Sequence, residues 1–293
     1  MIMKNQFKFS MIAPAKLNLF LKVVGKFNQD YHSLISLVGF TEFGDIIHFK
    51  SESNDSIKFI GPFSKDFNHK DNFISKAKEL FKKEGFLLSP INIVVEKNIP
   101  IGSGLGGGSA DAACCINAFS KISQKKIPKN IVYKIAEKIG SDVPVCIKSK
   151  WSVISEKGTK LKNIDKPNTN DIFCVIVKPS KSLSTKLIFS KVKNFSTIDL
   201  NYIYTLLKKS DLDNLINVGN DLSGIATKEI YEIKNIFNIM ETFKDEYGQD
   251  IIGFSMTGSG SACFALVTNH MIANKLTNSF QKLNFWSIVT KFI

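Results

Sequence analysis

Residues 98–111 read NIPIGSGLGGGSAD, placing five glycines and two serines between an apolar run at 91–95 (INIVV) and a helix-period stretch at 109–122. Glycine adopts positive φ and leaves its N–H groups unshielded, so a loop of this kind lets the backbone itself touch a ligand. Ala112, Cys115, Ile116 and Phe119 follow at the i, i+3, i+4, i+7 spacing of one helical face, and Ser109 stands where an N-cap is expected. Strand, glycine loop and helix N-terminus together make a phosphate site, because the amides point outward and the helix dipole favours an anion. A Walker A loop is excluded, since no lysine follows these glycines. Gly102 to Gly107 satisfies G-x-G-x-x-G, but the alternating βαβ frame of a dinucleotide-binding domain is missing. Such a cradle draws its cation from another part of the chain.

Alternating or β-branched apolar runs predict strands at 17–24, 45–49, 91–95, 151–154, 172–177, 251–256 and 262–267. Helical periodicity predicts helices at 71–83, 109–122, 129–139, 200–209, 229–246 and 271–282. The mixture is irregular, which favours layered α+β architecture over a doubly wound parallel sheet. The polar segment EKGTKLKNIDKPNTND at 156–171 separates two domains, 1–157 and 158–293.

Five cysteines in apolar surroundings without C-x-x-C spacing read as buried free thiols, and the four histidines lack metal-ligand spacing, so no metal residue is expected. No run approaches the length of a membrane span and the start has no signal-peptide features, which reads as a cytoplasmic protein without a membrane partner. The formal net charge is +13, yet all 39 basic residues are lysine and they are scattered. Without arginine's planar fork, a nucleic-acid reader is disfavoured, while small anionic substrates are still attracted.

Other positions carry chemistry. Lys16 and Asn18 share one face of an apolar strand in APAKLNLFLKVVGK, where a lysine is either an edge residue or a functional cation. Asp142, in IGSDVPV, either caps the turn before Pro144 or acts as a base. The stretch SMTGSGSACFALV sets Gly258 and Ser259 in a glycine turn between two strands.

Taken together, these blocks resemble the GHMP kinases. Pro100-Ile101-Gly102-Ser103-Gly104-Leu105-Gly106-Gly107-Gly108-Ser109-Ala110 is similar to their P-x-x-x-G-L-G-S-S-A signature, and the triple glycine before SADAA is most similar to the branch that acts on a cytidine-diphosphate-linked methylerythritol. That branch also has counterparts of APAKLNLFL, the Tyr31-His32 pair, G-[AS]-D-V-P, SLSTKLIF at 182–189, the glycine turn near the C-terminus and an NDL tripeptide at 220–222. The resemblance covers essentially the whole chain, in motif order. One departure is Gln29-Asp30 where the branch has Asp-Gly.

The resemblance implies two α+β domains, ribosomal-protein-S5-like then ferredoxin-like. It also implies ATP with Mg2+ and phosphorylation of the substrate's 2-hydroxyl, by a monomer or weak homodimer. Residues 100–110 would bind ATP. Lys16 is implied as the cation on the transferring phosphoryl and Asp142 as the catalytic base. Asn18, Tyr31, His32, Thr185, Phe189, Gly258 and Ser259 would contact the substrate, with Tyr31 and His32 flanking the cytidine.

Overall fold

The structure is a computed structural model that describes residues 7–28, 31–65, 73–158 and 160–293. In chain order its strands and helices are β1 (Lys8–Lys26), β2 (His32–Ser51), β3 (Ser56–Ile60), α1 (Phe73–Lys83), β4 (Ile91–Glu96), α2 (Gly107–Ile122), α3 (Lys129–Ile139) and α4 (Val143–Cys146). These lead into β5 (Ser152–Glu156), β6 (Lys160–Asn163), β7 (Phe173–Lys178), α5 (Thr185–Ser190), α6 (Leu200–Lys208), α7 (Leu212–Asn217) and α8 (Ser223–Glu229). The chain ends with α9 (Tyr231–Tyr247), β8 (Ile251–Met256), β9 (Cys263–Val267), α10 (His270–Lys282) and β10 (Trp286–Thr290).

Two compact units result, and neither is one continuous piece. The first takes the chain up to Ala15, then Gly44–Ile101 and Gly106–Ser149; the second takes Lys16–Phe43, Gly102–Leu105 and Lys150–Ile293. Position 157 lies within the second unit, just after β5. The long strands β1 and β2 and the glycine loop each pass from one unit to the other.

In the first unit β4 pairs antiparallel with Ile46–Ser51 of β2 and parallel with β3. Helices α1 to α4 pack on one another, with Phe81 of α1 meeting Phe119 of α2 edge-on at 5.9 Å. Helix α1 is amphipathic and buries Ile74, Ala77 and Phe81 on one face, whereas α2 is buried on nearly all sides from Ala110 to Phe119. Its run of Ala and Cys provides the small side chains that such an enclosed helix needs.

In the second unit Leu34–Val38 of β2 pairs with β5, and β5 with β6. A separate antiparallel sheet runs β10-β7-β9-β8. With α9 before β8 and α10 before β10, this is the ferredoxin-like arrangement of strands and crossover helices. Its core joins Val175, Val177, Ala265 and Val267 of the sheet to Ile233, Ile236 and Met240 of α9 and Leu276 and Phe280 of α10.

Several expected elements differ in extent. The strands expected at 17–24 and 45–49 are parts of β1 and β2, which run 19 and 20 residues. The helix expected at 229–246 is interrupted at Ile230, whose backbone turns extended and buries its side chain. Strand β6 lies inside the polar segment 156–171, where lysines alternate along a largely exposed strand and hide its pairing from a reading of hydrophobicity. The helix expected from 71 begins at Phe73, residues 71 and 72 lying outside those described.

Candidate active site

In the second unit, β1 presents Lys16 and Asn18, which are 3% and 1% exposed. Polar side chains buried in an apolar strand are costly unless they are partnered or used. The Lys16 N–H donates to the Leu105 carbonyl at 2.8 Å, tying this strand to the glycine loop. The Asn18 N–H donates to Thr257 Oγ1 at 2.9 Å and its Nδ2 donates to Ser36 Oγ at 2.7 Å, while its Oδ1 has no hydrogen-bond partner.

The turn between β8 and β9 interlocks with the first part of the glycine loop. The Ala262 N–H donates to the Ser103 carbonyl at 2.9 Å. Gly104 has φ +80, and a Cβ there would stand 2.5 Å from the Thr257 carbonyl oxygen, so only glycine allows the two backbones to meet. A Cβ on Gly258 would lie 3.5 Å from the unpartnered Asn18 Oδ1. Thr185 Oγ1, on the first residue of α5, lies 2.9 Å from Ser259 Oγ.

The His32 ring packs 5.5 Å from Phe189 and 6.3 Å from Phe195. Burial, and after it the charge of Lys26, lowers the His32 pKa from its ordinary 6.5. The imidazole is therefore neutral near pH 7, offering one donor and one acceptor nitrogen. Tyr31 is not in this ring cluster. It is 50% exposed, with the Lys157 ammonium 5.8 Å from its ring centroid, and the Gln29-Asp30 departure beside it lies outside the described residues.

In the first unit, Pro100 and Ile101 lead from β4 towards the loop and Gly106–Ala110 lead into α2. One expectation is corrected here. Ser109 does not cap α2, because the helix already begins at Gly107, with Gly106 as N-cap in the left-handed conformation at φ 72 and no side-chain cap hydrogen bond. A glycine that turns the chain into the helix earlier makes a serine cap unnecessary and leaves the first-turn amides without a side-chain acceptor, which suits an anion. Asp142 stands at the N-cap position of α4, half-buried, and likewise makes no side-chain cap hydrogen bond.

A buried charge cluster lies behind this half of the loop. Lys97 donates to an Asp45 carboxylate oxygen and, at 2.6 Å, to Asp111 Oδ2, all three side chains being at most 3% exposed. Asp45 Oδ1 accepts from the Asn98 and Ile99 N–H groups at 2.6 and 2.7 Å, fixing the chain just before Pro100. Burial pushes the Asp111 carboxyl up to about 8, against the pull of Lys97. Reading residues singly missed this cluster and also Phe195. The Asn220-Asp221-Leu222 tripeptide was visible in the sequence, but its contacts were not.

Each unit by itself carries groups that suit phosphate oxygens: the second has left-handed glycines at 102 and 104 and the buried Lys16 of β1, and the first has the left-handed Gly106 and the amides at the start of α2. Among the described residues no three His, Cys, Asp or Glu side chains group to hold a metal. Among those residues, too, no helix is long and apolar enough to cross a membrane, and the five cysteines are free and buried.

The chain matches the GHMP kinases N terminal domain over residues 72–150 and the GHMP kinases C terminal family over 204–284. It is 30% identical to the 4-diphosphocytidyl-2-C-methyl-D-erythritol kinase of Caldanaerobacter subterraneus subsp. tengcongensis, over 94% of this chain and 93% of the relative. It belongs to the GHMP kinases. A second relative of the kinase, the 4-diphosphocytidyl-2-C-methyl-D-erythritol kinase of Agrobacterium fabrum, is 31% identical over 92% of this chain and 91% of the relative. Among solved structures, a crystal structure of 4-(cytidine 5'-diphospho)-2C-methyl-D-erythritol kinase shares the fold, with TM-score 0.78 and 24% identity over 97% of this chain and 99% of that one.

Proposed function

We propose that this kinase transfers the γ-phosphoryl of ATP to the 2-hydroxyl of 4-diphosphocytidyl-2-C-methyl-D-erythritol, a step towards isoprenoid precursors. The new O–P bond forms as the bond from the γ-phosphorus to the β,γ-bridging oxygen breaks, and ADP leaves. The hydroxyl proton passes to the Asp142 carboxylate, and the Lys16 ammonium offsets charge on the transferring group and orients the hydroxyl. Backbone amides of residues 100–110 hold the phosphates, so most of the rate comes from positioning and charge rather than covalent chemistry. Magnesium bound with ATP would neutralise phosphate charge. Asn18, Thr185, Gly258 and Ser259 hold the alcohol, with Tyr31, His32 and Phe189 on the cytidine. We take 1–157 and 158–293 as the domain division of a cytoplasmic enzyme that works as a monomer or weak homodimer.

The observation that carries this reading is the packing of a neutral His32 against Phe189 in the same unit as the Thr185–Ser259 pair and the unpartnered Asn18 Oδ1. An aromatic face beside a one-donor, one-acceptor ring suits a pyrimidine, and a lone buried acceptor suits a hydroxyl. The test is ADP release across the cytidylyl alcohol, homoserine, mevalonate and galactose. Turnover is expected on the cytidylyl alcohol alone, and Asp142→Ala should lower kcat by about 10²- to 10⁴-fold with the fold intact. Turnover on mevalonate or homoserine in its place would overturn the substrate, and a fully active Asp142→Ala would overturn the base.

A further inference from the structure

The NDL tripeptide, between α7 and α8, has no part in the chemistry described so far. Its contacts, all within the second unit, run to two places. The backbone adds a short parallel rung to β1: Leu21 N–H donates to the Gly219 carbonyl at 3.0 Å and Asp221 N–H to the Leu21 carbonyl at 2.9 Å. Asp221 continues the attachment, its Oδ2 accepting from Val23 N–H at 2.8 Å and its Oδ1 from Lys22 Nζ at 2.7 Å. Leu222 is fully buried in the core of the unit.

Asn220 faces the other way. Its Nδ2 donates one hydrogen to the Met256 carbonyl and the other to the Gly258 carbonyl, each at 2.8 Å. Its Oδ1 accepts from Leu222 N–H at 2.9 Å, which fixes the orientation of the amide. The two carbonyls flank Thr257, whose Oγ1 accepts from Asn18 N–H on the same β1 strand. A single nitrogen with two hydrogens bridges both sides of the residue that meets β1, and β1 is held from the other end by Asp221.

We propose that Asn220 is a positioning residue for the 257–261 turn, and that Asn220 with Asp221 locks this turn in register with the strand carrying Lys16 and Asn18. The proposal rests on the reading of Gly258 and Ser259 as substrate contacts. Its chemical requirement is narrow. Aspartate at 220 is nearly isosteric but would aim an oxygen at two carbonyl oxygens, and serine offers one donor where two are needed.

The test compares Asn220→Asp and Asn220→Ser in the full chain with Ile236→Ala, a cavity in the same core on α9, at a residue outside the turn. Displacement of a substrate-bearing turn should cost Asn220→Asp about 10²-fold in kcat/KM for the cytidylyl alcohol, with Asn220→Ser intermediate. Ile236→Ala should lower the thermal midpoint while keeping wild-type kcat/KM below it. Wild-type kinetics in Asn220→Asp would overturn the proposal. So would losses that follow the thermal midpoint equally in Asn220→Asp and Ile236→Ala, since that is what a merely structural residue gives. If the wild-type chain itself fails to turn over the cytidylyl alcohol, the functional reading falls and hydrogen exchange decides the positioning role. Amides 257–261 exchanging about tenfold faster in Asn220→Asp, with other segments unchanged, supports it, and unchanged exchange there overturns it.

Discussion

The two ends of the glycine loop are held by different physics. Towards Gly106–Asp111, in the first unit, support comes from ionisable groups out of water: Lys97 between Asp45 and Asp111. Towards Gly102–Leu105, in the second unit, it comes from backbone amides, hydroxyls and carboxamides: Ala262 on Ser103, Asn18 on Thr257, Asn220 on the carbonyls about Thr257. A buried ion cluster is strong only while complete, because removing one member leaves the others desolvated and uncompensated. A neutral network is directional and indifferent to pH, so its loss shifts geometry more than it unfolds the chain. The first arrangement should therefore govern stability and the second turnover.

The sharpest way to break that contrast is Lys97→Met. It leaves Asp45 and Asp111 facing each other without a cation, and should cost about 3–5 kcal/mol in urea unfolding. Adding Asp45→Asn to Lys97→Met removes the carboxylate left without a cation and should recover part of the loss. A Lys97→Met chain as stable as wild type would show that the cluster is not a stability device.

On the other side, Gly104→Ala should act on turnover. Its Cβ would meet the Thr257 carbonyl at 2.5 Å, so the turn or the loop must move, and kcat/KM should fall about 10²-fold. Gly85 provides the matched control, having φ +84 but nothing within 4 Å of an added Cβ. Gly85→Ala should cost about 1 kcal/mol of backbone strain and leave kcat/KM unchanged. Equal kinetic effects from the two substitutions would mean that strain, rather than the meeting of the two backbones, sets the behaviour of Gly104.

This contrast also marks what could be read from the sequence. Helix α3 and strand β8 follow their hydrophobic periods closely, and their ends match the expected 129–139 and 251–256. The motif blocks lie in order, so Lys16, Asn18 and the two glycine-rich stretches could be named before any coordinates. The Asp45–Lys97–Asp111 cluster could not, because its members are 52 and 14 residues apart and each reads alone as a solvated charge. Ser109 misled for a local reason, since a glycine at 106 in the left-handed region starts the helix before the residue type that normally would. The tripeptide at 220–222 was legible as a string but not as a device, because its partners at 21–23 and 256–258 meet only once β1 and β8 are in place.

The finest distinction between the two supports is their response to pH. In the unfolded chain Asp111 titrates near 3.8, whereas burial pushes it up to about 8 in the folded protein. The folded state then binds this proton more tightly than the unfolded state. The contribution is fully present below the unfolded value and is lost as pH rises towards 8. One proton's difference amounts to at most about 1.4 kcal/mol of unfolding free energy per pH unit. Asp111→Asn carries a permanently neutral amide of the same shape, so its stability should decline less steeply than wild type between pH 5 and 8, measured by urea unfolding at each pH. Asn220→Ser, which removes no ionisable group, should run parallel to wild type over the same interval. Parallel curves for Asp111→Asn and wild type would mean that the cluster keeps Asp111 ionised in the folded state, and that the two ends of the loop differ in geometry but not in proton linkage.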